Sequence, residues 1–469
     1  ILTLAIFPCL TNRNYDRVAR WQQYTKVPAL QPLTPSYITR LTQRLNDNHR
    51  MLFLKARLKR QEGKAFVACD STSRSAWGRC LADIHWGNNK DNPLLENTVE
   101  VVVYSIDTHE PVYYRTFSGN MSDLRTVRTI LMDLKELGVD RLTIVFDRGY
   151  ESRENIAALL KENMPFILCS KVRQEPVYTC IQNIEYDRNG MPLDMEFSQE
   201  HKLYYKQVDC PFQYRPESGE DRSAVLKCNI YLNLHRRIEE LQNIRIIQNA
   251  EESQSQVFID SIKHLPAEEQ KPKIIDFNRK TEYCKIKFDL KKLQNGEIFK
   301  TEITYSKKIE NDTVTAGFFS SMSYDVNGNA KAQHEFYKLR DEQEKYFDIM
   351  KDQMGFDIQR NWSEEGKTGR LLILFIGLIL MSKVRYIWQN KLKERFASSL
   401  EVLDEMEPIR MCEYPDGKTH ITSFTQSQVD ICNAFGIEPP AERLSKDQIR
   451  RQKIRKSGRK PGSPSKIVS

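Results

Sequence analysis

The ten cysteines of this chain include no Cys-x-x-Cys pair, the eight histidines form no metal-binding spacing, and no glycine-rich loop of the phosphate-cradling kind occurs. Cys69, Cys80 and Cys169 sit among apolar residues, as do the others. That pattern argues against a zinc site or a disulfide framework and for a reduced cytosolic protein with inert thiols. The only long apolar run, Leu371 to Met381, has eleven residues, and about 20 are needed to cross a bilayer. A buried core helix and no membrane partner are therefore expected. The opening ILTLAIFPCL has the apolar centre of a signal peptide but neither its basic flank nor its cleavage site, and reads as a buried element. It begins at Ile1, which leaves room for a natural N-terminus upstream. No internal repeat is seen.

The chain has 469 residues, 40% hydrophobic and 29% charged, which suits a globular protein of two to four units. Its net charge of +8 is unevenly placed. Lys446 to Ser469 holds nine basic residues and one acidic, so the rest of the chain is balanced. This tail lacks the apolar content to fold alone and suits a polyanion. Within it GRKPGSPSK resembles an AT-hook-style arm for the DNA minor groove, with Arg455, Lys456, Arg459 and Lys460 as candidate contacts.

From Lys64 the chain reads strand, strand, strand, helix, strand, helix, strand. The pieces are KAFVACDSTS, TVEVVVYSI, PVYYRTF, LRTVRTILMDLKELG, RLTIVFD, RGYESRENIAALLKEN and PFILCSK. The first three strands suit an antiparallel meander, and the later ones suit parallel strands with right-handed crossovers. Functional side chains gather near the carboxyl ends of such strands, where Asp70 and Asp147 fall. The expected divisions are a helical region over 1–60, a core over 61–171 and 316–395, and an α+β, largely β, insertion over 172–315. A C-terminal region over 396–445 and the basic tail over 446–469 complete the chain.

Phe336 to Gly355 predicts one helix. Tyr337, Arg340, Glu344 and Lys351 follow at intervals of three, four and seven, which at about 100° per residue gathers them within about 60° of each other. Phe336, Leu339, Tyr346 and Met350 fall on the adjacent face, so the helix can pack on a core and still present a charged stripe. The spacings also suit plain intrahelical ion pairs, worth about 0.2–0.5 kcal/mol each. Asp70, Asp147 and Glu344 together suit Mg²⁺ or Mn²⁺, hard cations held by few carboxylates. Two such ions can activate a water or a 3′-hydroxyl for in-line phosphodiester displacement. Arg340 and Lys351 would neutralise phosphate, and Tyr337 could stack on a base.

On these residues the sequence resembles the DDE transposases of the insertion-sequence-four superfamily, which carry a Tyr-(2)-Arg-(3)-Glu-(6)-Lys signature. Asp70-Ser-Thr-Ser resembles the family's first aspartate, IVFDRGYESRENI its second at Asp147, and YRTFSGNMSD the loop after its third strand. The resemblance covers roughly residues 60–390. It implies an RNase H-like mixed sheet flanked by helices and interrupted by the insertion, with helical N- and C-terminal regions. It implies two Mg²⁺ ions held by Asp70, Asp147 and Glu344, with Mn²⁺ as a substitute. It also implies cut-and-paste movement of an insertion sequence, with double-stranded DNA (terminal inverted repeats and target) as partner and a homodimer bridging paired ends. The implied location is the bacterial cytoplasm, at the nucleoid. Trp362 is a candidate for stacking a flipped base, and core packing is its other role. Two alternatives are a domesticated or decayed DNA-binding protein and an RNase H-like nuclease that cuts without joining.

Overall fold

The computed structural model describes residues 1–11, 13–59, 66–77, 81–89, 91–139, 142–215, 219, 221–288, 301–339, 347–355, 358–359, 363–415 and 419–439. Arg340, Glu344, Trp362, Arg455, Lys456, Arg459 and Lys460 lie outside the described residues.

A ten-stranded mixed sheet organises the chain. Strands β1 (Phe66–Ala76), β2 (Asn97–Ser105) and β3 (Glu110–Ser118) form the antiparallel meander. The valine-rich β2 is buried at all nine positions, as a strand covered on both faces must be. The helix Asp123–Glu136 ends near Gly138, whose φ of +79° is the left-handed conformation that closes helices. It returns the chain to β4 (Thr143–Phe146), parallel to β1. The helix Arg153–Lys161 is capped by Ser152, whose hydroxyl accepts the Asn155 N–H at 3.1 Å. It leads to β5 (Phe166–Ser170), parallel to β4. The element order is the one read from the sequence, and β3-β2-β1-β4-β5 is the RNase H-like arrangement.

The sheet then widens. β6 (Glu196–Ser198), β7 (Leu203–Tyr214) and β8 (Arg222–Leu232) extend it from within the 172–315 span. The 29-residue helix Leu234–Ile262 and the hairpin of β9 (Cys284–Phe288) and β10 (Thr301–Tyr305) stand apart from it. The Glu251 carboxylate ties the two together, accepting the backbone N–H groups of Glu282, Tyr283 and Cys284 at 2.6, 2.7 and 2.9 Å. β11 (Phe318–Tyr324) runs between β5 and β8, antiparallel to both. β12 (Ile358–Gln359) pairs in parallel with the far end of β1, at Ser75 and Ala76. Beyond it lie the helices Ser399–Met406 and Gln426–Phe435 and a short hairpin of β13 (Met411–Glu413) and β14 (Thr419–Ile421).

Alternation along β1, β4 and β5 sends side chains to opposite faces. On one face Cys69, Ile144, Phe146 and Leu168 join Val127, Ile130, Ile156 and Leu159 of the crossover helices. On the other, Ala68, Val145 and Ile167 meet Val326, Phe336 and Tyr337. The Phe66 and Phe336 rings stack there at 4.0 Å. The helix Ala330–Leu339, which carries Tyr337, therefore lies over the second face.

The apolar run Leu371–Met381 is the centre of a longer helix, Glu364–Ile387. By length and composition this helix could cross a membrane, yet it is built into the core. Leu371, Leu374, Phe375 and Leu378 join the main cluster, while Ile373 joins Leu4, Phe7 and Ile38 of the N-terminal helices. Two glycines set the approach. A Cβ at Gly369 would lie 2.0 Å from the Thr42 carbonyl oxygen, and one at Gly377 would lie 2.8 Å from that of Ala5. The helix Leu2–Thr11 is buried along this seam, as its apolar sequence predicts.

Gly369→Ala should lower stability by about 1–3 kcal/mol, because the obstacle is backbone and cannot rotate away. An unchanged urea midpoint would mean that the N-terminal helices are not held this closely. His334 supplies a pH signature. It is 6% exposed, beside the rings of Tyr231, Phe319 and His201. Burial, together with Lys338 and His201, pushes its pKa from 6.5 to about 4. Between those values the unfolded chain binds a proton that the folded chain refuses. Stability should thus fall as pH drops from 6.5 towards 4, by at most about 1.4 kcal/mol per pH unit from this group. His334→Phe should flatten that slope, as followed by urea unfolding at each pH; parallel slopes would count against the assignment.

Candidate active site

β1 and β4 pair in parallel up to Cys69 opposite Phe146. The next residue on each is an aspartate, Asp70 and Asp147. Both aspartates are half-buried, and they follow the last registered pair of two strands that lie about 4.8 Å apart. Both share the parity of Ala68 and Val145, which places them on the face covered by the Tyr337 helix.

The sequence reading ends β1 at Asp70. In the structure the strand runs on to Ala76, paired with β2 throughout, because Ser71 to Ser75 are buried in the sheet. Polar residues usually signal a strand end; here they find partners within the fold. On its other side β1 loses β4 at Cys69 and meets β12 only at Ser75. The acids thus lie in a gap between two parallel neighbours.

Asp147 is in extended backbone and leads into a one-turn 3-10 helix, Arg148–Tyr150. Its carbonyl accepts the Tyr150 N–H at 3.1 Å. The Glu151 carboxylate accepts the Lys171 N–H at 2.9 Å, which fastens this turn to the end of β5. A third acid, Asp123, lies behind the pair. The Ser71 hydroxyl donates to Asp123 Oδ1 at 2.6 Å, and the Ser71 N–H donates to Asp70 Oδ1 at 2.7 Å. A Cβ at Gly149 would lie 3.3 Å from Asp123 Oδ2, so the turn after Asp147 rests on the same carboxylate. Burial, with Cys69, Asp123 and Asp70 nearby, pushes the Tyr150 hydroxyl well above its ordinary pKa. Asp123 was missed as a site residue. Its signal was present in YRTFSGNMSD, but a helix-start aspartate reads first as a cap or dipole partner.

Asp147 opens into a cleft of about 1060 Å³. Its lining includes Tyr337, Phe319 and Ser320, then Arg236, Asn243 and Ile247 of the long insertion helix, and Lys171 and Arg173. Tyr337 and Asp147 thus line the same cleft. Lys351 is not among the residues lining this cleft. It sits in the π-helical turn Ile349–Gln353, where the 100° step of an α-helix does not hold, and its ammonium bonds Asp91 at 2.6 and 2.8 Å. Arg340 and Glu344 lie between this turn and Tyr337, outside the described residues. Of the apolar residues expected on the adjacent face, Phe336 packs on Phe66 and Met350 is in the core, while Tyr346 lies outside the described residues.

Two adjacent carboxylates repel unless a cation or proton intervenes. All-oxygen donors on rigid strands suit a hard divalent cation, so Asp70 and Asp147 fit the expected metal. Glu200, His201 and Glu335 form a different cluster with ligand atoms close enough for a metal. It lies beside β6 and β7 at the far edge of the sheet. Lys331 pairs with Glu200 at 3.0 Å and Lys338 approaches His201 at 3.2 Å, so ammonium groups already serve it.

The family described as Transposase DDE domain matches residues 62–380 of the chain. No curated protein matches it. Among solved structures, the cryo-EM structure of a piggyBac transposase synaptic complex with hairpin DNA is similar at 11% identity with a TM-score of 0.38. That match covers 99% of this chain and 80% of the other. The Mos1 transposase paired-end complex with left transposon end is similar at 12% identity with a TM-score of 0.16, over 35% of this chain and 56% of that one.

Ser71→Ala removes the hydroxyl that donates to Asp123, beside the N–H that holds Asp70, without adding bulk. It should weaken divalent-cation affinity at the acid pair by about 10-fold, the low end for loss of a group that orients a ligand. A Mn²⁺ titration followed by calorimetry checks this; unchanged affinity would make Asp123 a purely structural acid.

Proposed function

The chain belongs to the transposase DDE domain family, and from that premise we propose that it is a DNA transposase of the insertion-sequence-four superfamily that moves its element by cut-and-paste. The observation that supports this reading is the β1–β4 register, whose last pair, Cys69 and Phe146, is followed on each chain segment by an aspartate, Asp70 and Asp147. Glu344, next in the signature, is the proposed third acid. When bound by these carboxylates, Mg²⁺ or Mn²⁺ supplies Lewis-acid charge to the scissile phosphate and to its nucleophile.

The chain's own groups do the rest. Asp70 is held by the Ser71 N–H, and Asp147 by the turn fastened to β5. Groups held in place before phosphate arrives are the condition for strong electrostatic stabilisation. Lys171, Arg173 and Arg236 line the cleft with Asp147 and would oppose phosphate charge there, with Arg173 also paired to Asp312 and Arg236 to Glu240. Tyr337 offers a ring to a base or sugar in that cleft. In this reading hydrolysis at each element end exposes a 3′-hydroxyl, and that hydroxyl then attacks a second phosphodiester. Arg340 and Lys351 contact phosphate near the reacting strand, while Arg455, Lys456, Arg459 and Lys460 add sequence-independent affinity. The active form is a homodimer bridging two terminal inverted repeats, acting on target DNA in a bacterial cytoplasm.

Asp147→Asn and Glu344→Gln should each cut metal-dependent nicking at the element's own ends by on the order of 100-fold or more, with DNA affinity nearly unchanged. Nicking by either variant near the wild-type rate would refute the assignment. Wild-type cleavage without any strand joining would instead make the protein a nuclease.

A further inference from the structure

Three of the free cysteines meet inside the 172–315 span. Cys210 lies on β7 and Cys228 on β8, in the antiparallel pair that sets Cys210 opposite Leu226 and Cys228 opposite Val208. Side chains alternate across a strand, so both thiols stand on one face of the sheet, with Leu226 and Ile230 in the main core. As diagonal neighbours they are about 7–8 Å apart at the backbone. Cys180 belongs to the short helix Val177–Gln182, whose Val177 and Ile181 are buried in the same cluster. Cys180 packs against that cluster and is half-buried, whereas Cys210 and Cys228 are buried.

The three thiols are not equivalent. The Cys228 thiol hydrogen-bonds Cys210 and favours its thiolate; burial opposes this, and the Cys180 thiol adds a second such bond. The Cys210 pKa falls from 9.0 to about 7, against the nearby charge of Asp209. Cys228 is pushed up by its bond to Cys210 and by burial. Cys180 is pushed up by burial and by Cys210, with Lys206 working the other way and Glu175 adding to the rise. Cys210 is thus the member that ionises first, and the thiolate is the nucleophilic form. Geometry then separates its two neighbours. A disulfide between residues more than about 7 Å apart at Cα demands backbone movement, and Cys228 is fixed within the β7–β8 ladder. Cys180 sits instead on a helix of only six residues, at a half-buried position, within hydrogen-bonding reach of Cys210.

We propose that Cys210 and Cys180 are an oxidative modification site, closing to a reversible disulfide with a hydroperoxide as oxidant while Cys228 serves as the hydrogen-bond donor to Cys210. With hydrogen peroxide, the Cys210 thiolate attacks one oxygen and the O–O bond breaks. The departing hydroxide takes up a proton and leaves as water, and Cys210 becomes a sulfenic acid. The Cys180 sulfur, giving up its proton, then attacks the Cys210 sulfur. An S–S bond forms, the S–O bond breaks, and the hydroxyl leaves with that proton as a second water. Two thiols lose two electrons and two protons in all, and the peroxide gains them. The bond fastens the short helix to β7. None of the three cysteines lines the Asp147 cleft, and the site does not depend on the DNA-processing reading.

The test treats the full-length reduced protein with hydrogen peroxide, alkylates the remaining thiols under denaturing conditions and maps the peptides by mass spectrometry without reductant. A Cys180–Cys210 bridge, two hydrogens lighter than the free pair and released by dithiothreitol, should accumulate before the exposed Cys412 is oxidised. Cys180→Ser, a change at a half-buried position, should abolish the bridge and leave Cys210 as a sulfenic acid trapped by dimedone. Cys228→Ala should slow bridging at pH 7 by roughly 5-fold, since a thiol back near its ordinary pKa is less ionised but more nucleophilic once ionised. Oxidation of Cys412 with Cys180 and Cys210 still free would overturn the site. A Cys210–Cys228 bridge would overturn it too, as would an unbridged Cys210 oxidised in wild type as fully as in Cys180→Ser. The wild-type map decides the matter whether or not either variant folds.

Discussion

The parallel pairing of β1 with β4 ends at Cys69 and Phe146, and an aspartate follows on each strand. Most of what the molecule can do depends on that ending. If β4 ran on beside β1, Asp70 and Asp147 would face a continued ladder with no open edge. Because β4 gives way to a short turn, and β12 joins β1 only at Ser75, two carboxylates are left at a gap in an otherwise continuous sheet. The cost of keeping like charges close is borne by a rigid setting. β2 is buried along its whole length, the crossover helices pack behind, and Asp123 steadies both Ser71 and the turn after Asp147.

Around this gap the cations sort into two groups. Lys171, Arg173 and Arg236 line the cleft with Asp147, one of them contributed by the long insertion helix. Arg13, Arg17 and Arg20 of the N-terminal region join Arg74, Lys351 and Arg370 around a separate cavity. The apolar helix links the two halves of this design. Its glycines admit the N-terminal helices at backbone contact, and its Arg370 faces the cavity that those helices help to enclose.

Much of the core was legible from pattern alone. The valine-rich β2, the capped helix after Ser152 and the left-handed stop at Gly138 each carry a local physical cause. Asp70 and Asp147 were legible because each follows an apolar run that reads as a buried strand. Other features were not. β1 outlasts its apolar run because its hydroxyl residues are buried in the sheet with partners from elsewhere in the chain, such as Asp123 for Ser71 and Asn89 for Ser75. Lys351 sits in a π turn, which residue spacing does not announce.

Sequence alone therefore determined the element order, the two core aspartates and the basic character of the tail, since periodicity, breakers and charge act over a few residues at a time. Tertiary structure decided which distant groups meet. Asp123 beneath Asp70, Tyr337 in one cleft with the insertion helix, and Arg13, Arg17 and Arg20 beside Arg74 and Arg370 are each set by strand register and helix packing. Such contacts join residues tens to hundreds of positions apart, and they exist only once the sheet has closed on its helices and the long apolar helix has drawn the N-terminal region against the core.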